Sequence, residues 1–176
     1  YSVGEIYYTG VVHTTTEYIE WLKEIRQQKI PVHIVQGFEE IHFDQNISLE
    51  FLHPISNMSF SRYKNINNTS VVTRLIYKEK KFLFMGDAEE DVEELLIGGD
   101  VDLDADVLKI GHHGSATSTT EAFLYAVNPE TVIISCGKNN RFDHPNLRII
   151  KRLERFGARI KRTDIDSTIS VKTDGL

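Results

Sequence analysis

Two apolar stretches that run into chemically loaded turns constrain this chain more than any other feature. They are FLFMGDAEE, Phe82 to Glu90, and VLKIGHHGSATST, Val107 to Thr119. Each reads as a short buried strand ending at a glycine. Between them Glu89 to Ile97 reads as a helix, with acids in its first turn to suit the helix dipole and Gly98 as its stop. Successive strands of this kind bring Asp87, after Gly86, and the adjacent His112 and His113, after Gly111, to one edge of a sheet, where open sheets expose functional groups. A carboxylate beside imidazoles is a donor set suited to zinc, manganese or iron. Taken alone, His-His-Gly fits a structural pair equally well.

The remaining pattern is strands first, then strand–helix alternation, an α/β or α+β layered chain. Val3 to Tyr8 reads as a strand. A helix follows from a capping box at Thr14-x-x-Glu17 to about Arg26, with Tyr18, Leu22 and Ile25 at helical spacing and Trp21 in its core stripe. Pro31 to Val35 and Ile47 to Leu52 read as strands, Ile55 to Asn68 as a loop, and Val71 to Tyr77 with Lys81 to Met85 as a hairpin. Ser118-x-x-Glu121 reads as a second capping box, for a helix to about Val127. Thr131 to Ser135 is a strand. The last helix runs from Pro145 to Gly157, with Leu147, Ile150 and Leu153 inward. Ala158 to Arg162 and Thr168 to Val171 form a closing pair. No repeat or linker interrupts the 176 residues, so one domain is expected.

Hydrophobic residues make up 40% and charged residues 26%, the balance of a folded domain rather than a disordered chain. No apolar run approaches the roughly 20 residues that cross a bilayer, and Tyr1 opens no signal-peptide pattern. Cys136 is the single cysteine, which permits no internal disulfide. Net charge is −6, yet Arg148 to Arg162 holds seven basic residues against the one acid Glu154. That stretch is either a solvated face or a surface for an anionic partner. The acids gather at Glu89 to Asp106. Within them DVDLDAD, Asp100 to Asp106, imitates a calcium loop, but Ala105 replaces the required glycine and Gly111 the final glutamate.

Two further segments reach the same rim. NNTS, Asn67 to Ser70, precedes a hairpin strand; its asparagines fit a turn as well as a site. ISCGKNNRFDHP, Ile134 to Pro145, leaves another strand and carries Asn140 and His144, the latter a site residue or a helix cap. Ser115 to Ser118 is a run of small residues that leaves room for substrate.

In chain order NNTSVV, GDAEEDVEELL, VLKIGHHGSATST, ISCGKNNRFDHP and RTDIDSTI resemble the metallo-β-lactamase superfamily, in particular the C-terminal domain of ComEC-type competence proteins and its soluble relatives. The resemblance implies an αββα sandwich with one or two divalent metals, zinc or manganese, at the sheet edge. By motif position Asp87 bridges metals, His113 is a ligand, and His112 and His144 contact substrate or protonate a leaving group. Asn67, Asn68, Ser115 and Asn140 fall on the substrate side, and Asn67 or Asn68 stands where many relatives carry a ligand histidine. Ser167 stands where relatives usually have glycine, and Cys136 where they have valine. The superfamily's His-x-(His/Asp)-x-Asp-His run is nowhere in the chain; His13, His33, His42 and His53 are isolated. Residues 1–176 are therefore expected to be the C-terminal part of one such domain, incomplete at its N-terminal side, with metal ligands largely missing.

The resemblance implies a metal-dependent phosphodiesterase or nuclease acting on single-stranded DNA during uptake, outside the cytoplasm on a bacterial membrane or secreted, next to a channel domain of the same chain. A hydrolase of phosphocholine or cell-wall esters, and a noncatalytic domain that binds or gates DNA, are the alternatives. Consecutive side chains of extended backbone point to opposite sides, so the two histidines are not expected to reach one metal together.

Overall fold

The computed structural model describes residues 2–99 and 101–176. Tyr1, and Asp100 at the head of the DVDLDAD run, lie outside the described residues. Strands β1 (Ile6–Tyr8) and β2 (Val32–Ile34) pair in parallel across helix α1 (Thr16–Gln28). The others form a seven-stranded sheet in plain sequence order: β3 (Glu39–His42), β4 (Ile47–His53), β5 (Val72–Tyr77), β6 (Lys80–Phe84), β7 (Val107–Lys109), β8 (Thr131–Ile134) and β9 (Arg159–Arg162). From β3 to β6 the neighbours are antiparallel; from β6 to β9 they are parallel. The connections explain the switch. A short turn at Lys78-Glu79 reverses the chain, whereas parallel neighbours need a crossover. Helices α2 (Glu90–Gly98), α3 (Glu121–Val127) and α4 (Leu147–Phe156) lie in those crossovers, and a short α5 (Thr163–Asp166) follows β9. This is the mixed, layered α/β class that the strand–helix pattern predicts.

Strand alternation sorts the sheet into two faces. Leu83, Leu108, Val132 and Ile134 pack into one core cluster with Val92 and Leu96 of α2, Phe123 and Leu124 of α3, and Ile149 and Leu153 of α4. Each such side chain stabilises the fold by roughly 1.5–3 kcal/mol on burial. The opposite face carries Leu75, Phe82, Phe84 and Ile133, bordered by Ile169 and Val171 around a hollow of about 740 Å³.

Several elements differ from the sequence expectation. The α4 side chains that bury completely are Ile149 and Leu153, while Leu147 is 65% exposed. A four-residue step keeps Ile149 and Leu153 on one face, but Leu147 lies about 200° around the helix from Ile149. In α1 only Ile25 of the stripe is buried; Leu22 is 40% exposed. The caps also shift. Thr15, not Thr14, accepts the Tyr18 amide at 3.2 Å, and Thr120, not Ser118, caps α3. Strand β3 carries no apolar alternation and forms by pairing with β4. Thr168 to Val171 forms no strand. Ser167 takes φ 61°, a left-handed backbone that suits glycine better than serine.

The acidic run is neutralised from the sheet. Arg74 pairs with Glu50 at 2.7 Å and with Asp102 at 3.4 Å; Lys81 reaches Asp102 and Asp104, and Lys80 reaches Asp106. These carboxylates serve as anchors for the segment leading into β7.

Candidate active site

The site lies where β6 and β7 end side by side. The His112 amide donates to Gly86 O at 3.2 Å, joining the two turns. A side chain at Gly111 would put its Cβ 2.2 Å from Ala88 O, so only glycine lets the turns approach this closely. Asp87 is held by its own amide, which donates to Ser70 Oγ at 3.0 Å. His113 Nδ1 lies 2.6 Å from Ser135 O, a carbonyl that can only accept, so Nδ1 carries the proton. The other nitrogen, Nε2, is 3.3 Å from Asp87 Oδ1. The two side chains thus converge on one point, as their strand ends imply.

The backbone between the histidines is not extended. His112 has φ 44°, ψ 45° and His113 φ 55°, ψ 20°, two successive left-handed residues without glycine. They therefore do not point to opposite sides as extended neighbours would: the turn curls, and their rings stand 6.3 Å apart. Such backbone costs about 1–3 kcal/mol per residue and persists where the surroundings over-determine it.

Glu89 is the residue of this candidate site that sequence reading missed. Its Oε1 lies 2.8 Å from His112 Nδ1. Asn67 Nδ2 donates to Oε1 at 2.8 Å and Asn65 Nδ2 to Oε2 at 2.9 Å. Burial raises the Glu89 pKa, but hydrogen bonds from Asn67, Asn65 and Thr117, with the His112 charge, outweigh it and leave the carboxyl below its ordinary value. An ionised Glu89 therefore orients the His112 ring. Asn65 and Asn67, two residues apart, turn to the same carboxylate, a convergence that only the fold reveals.

The other expected residues divide. His144 stands with its ring 5.4 Å from that of His112 and lines a hollow shared with His113. The cap of α4 is Asn146, not His144. Burial, and then the His112 and His113 charges, lower its pKa. Asn67 joins the site through Glu89. Asn68 instead accepts the Glu89 amide at 2.9 Å and donates to Asp91, holding the start of α2. Ser115 is buried and bonded to Thr117, and Ser118 donates to Gly111 O and Ser115 O, so this run shapes the loop rather than opening space. Asn140 spends both ends of its amide on Gly137, Phe142 and His144 and positions His144.

A divalent metal fits this donor set in kind. A histidine whose Nδ1–H is fixed by a carbonyl presents Nε2 as a ligand, and here it faces a carboxylate oxygen. The set is short in number, because among the described residues no three His, Cys, Asp or Glu side chains form a metal-holding group.

Behind Asp87, buried His53 directs Nδ1 to Ser70 O at 2.9 Å. Burial lowers its pKa, only partly opposed by that bond. The folded form therefore binds fewer protons than the unfolded chain below the ordinary value of about 6.5, and stability present above it is lost as pH falls. The thermal midpoint should drop between about pH 7 and pH 5, and less steeply in His53→Gln. Equal slopes would contradict this.

Residues 59–138 match the family described as Metallo-beta-lactamase superfamily. ComE operon protein 3 of Bacillus subtilis (strain 168) is 40% identical over 106 residues, 60% of this chain and 14% of that protein. Competence protein ComA of Neisseria gonorrhoeae is 36% identical over 126 residues, 70% of this chain and 17% of that protein. Recombination protein 2 of Haemophilus influenzae is 34% identical over 107 residues, 60% of this chain and 13% of that protein. The chain thus spans less than a fifth of the length of these relatives. Residues 59–138, which hold both the Asp87 turn and the His112–His113 turn, are a metallo-β-lactamase superfamily segment, as the order of the motifs implies.

Proposed function

We propose that this chain is the C-terminal part of a metal-dependent phosphodiester hydrolase that acts on single-stranded DNA during uptake, at the extracytoplasmic face of a bacterial membrane. The observation that carries the reading is the approach of His113 Nε2 to Asp87 Oδ1, 3.3 Å, with the Glu89-bound His112 and His144 beside it. The relatives' names, competence and recombination proteins, support DNA as the substrate.

A bound divalent metal supplies a water acidified to a pKa of about 7. Asp87 and His113 would hold it together with ligands from the rest of the domain. Glu89 accepts the Nδ1 proton of His112, which leaves Nε2 to take or return a proton. His144, neutral near pH 7 by its lowered pKa, offers a second acceptor or donor beside the phosphate.

Helix α4 supports an anionic substrate. Arg148, Lys151 and Arg155 are exposed along it and line a groove of about 560 Å³. Arg152 is engaged, donating to Thr119 O at 2.6 Å. Charge reversal at Arg148, Lys151 and Arg155 should weaken oligonucleotide binding and flatten the log–log salt slope by about 2. Unchanged binding would return these residues to a solvated face.

The deciding experiment is cleavage of end-labelled single-stranded DNA by the complete protein with manganese, zinc or magnesium. Cleavage that needs the metal and is lost in Asp87→Asn supports the reading. No cleavage with any of them, with binding retained, makes this a noncatalytic DNA-binding or gating domain.

A further inference from the structure

The loop between β8 and α4 presents an aromatic ring that the hydrolytic residues do not use. Phe142 keeps 62% of its surface in solvent although it adjoins the site. Its ring lies 5.8 Å from that of His144 at 21°, close to parallel. The two border a hollow of about 290 Å³ with His113, Cys136 and Asn140. The loop is pinned in this shape. Asn140 Oδ1 accepts the Phe142 amide at 3.2 Å and the His144 amide at 3.0 Å, while Nδ2 donates to Gly137 O at 2.9 Å and His144 O at 2.6 Å. The Arg141 guanidinium carbon stands 4.7 Å from the Phe142 ring centroid. An exposed ring on a pinned loop beside the His144 and His113 imidazoles, with a cation over it, is a surface prepared for a ligand.

We propose that Phe142 and Arg141 form a nucleotide subsite, in which Phe142 stacks the base next to the phosphodiester at Asp87 and His113, and Arg141 pairs with the adjoining phosphate. This rests on the DNA-hydrolase reading and adds what is recognised beside the scissile bond. The chemistry selects the ligand class. Quaternary ammonium groups such as choline also use aromatic faces, but here the Arg141 guanidinium already sits over the Phe142 ring, so a second cation is repelled. A planar base on an anionic strand is attracted by both features. The hollow is at the small end of ligand pockets, the scale of one base rather than a whole ligand. A base sliding over the ring displaces the guanidinium toward the backbone, where its fork suits a phosphate. Stacking of this kind tolerates any base, because every base has a π-face.

The test compares two fluorescein-labelled strands of equal length, oligothymidylate and an abasic deoxyribose-phosphate oligomer, binding to the complete protein in chelator, read by anisotropy. Phe142→Ala is expected to weaken oligothymidylate binding roughly tenfold and leave the abasic strand unchanged, with Phe142→Trp retaining the preference. Arg141→Ala is expected to weaken both strands and lower the salt slope by about 0.7. Equal weakening of both strands by Phe142→Ala, no effect on either, or no binding of either strand would overturn the subsite. Loss of all cleavage with the base preference intact would sink the hydrolase reading alone. Phe142 is exposed, so its truncation leaves the core untouched, and the tryptophan variant checks the loop.

Discussion

His113→Ala in the complete protein is expected to strip the metal and abolish turnover, whereas His112→Ala keeps the metal and lowers kcat by about 10²–10⁴-fold. The asymmetry follows from what each imidazole does with its proton. His113 gives Nδ1–H to Ser135 O and turns Nε2 to Asp87, the attitude of a ligand. His112 gives Nδ1 to Glu89, a carboxylate kept ionised by two asparagine amides, the attitude of a group that exchanges protons. Glu89→Gln should therefore lower kcat in the same direction as His112→Ala without releasing metal. Metal content after gel filtration and steady-state kinetics on one oligonucleotide separate the two. Metal lost from His112→Ala and kept in His113→Ala would show the pair assigned backwards.

Glu93→Ala is expected to cost about 2–6 kcal/mol, because two backbone N–H groups then lose their acceptor at about 1–3 kcal/mol each. Glu93 is fully buried on α2, and its carboxylate accepts the amides of Thr119 and Thr120, the latter at 2.7 Å. From the other side Arg152 holds Thr119 O. Thr119 is itself left-handed, φ 57°, so the loop following the histidines is fastened against its own backbone preference. Burial raises the Glu93 pKa, opposed by the Thr120 and Thr119 amides. Glu93→Gln keeps the shape but aims an amide N–H at one of the two donors, so a smaller loss is expected. Thermal unfolding, with amide exchange at Thr119 and Thr120, reads both variants; undiminished protection of these amides in Glu93→Ala would refute the clamp.

The strand ends were legible because an apolar run, a glycine and a polar pair announce both the element and its end. That is why Asp87 and His113 were found to converge. Glu89 was hidden among Glu89, Glu90 and Asp91, where any acid suits a helix start and only the fold singles out the one facing His112. Strand β3, reading EEIH, was hidden because its partner supplies the pairing that its own composition does not suggest. Thr168 to Val171 had the alternation of a strand and found no neighbour to pair with. The left-handed pair was invisible for a different reason: nothing in His-His states its torsions, and the clash that Gly111 avoids exists only once Ala88 is in place.

That pair sets robustness against activity. Glycine at position 112 or 113 would relieve backbone strain of about 1–3 kcal/mol, so a library screened only for survival of heat is expected to drift toward glycine in this turn and to lose the imidazoles on which the proposed hydrolysis depends. Natural lineages that adapt to high temperature while keeping both histidines must find their extra stability elsewhere, which makes this turn a place to look for the limit that function sets on thermal adaptation.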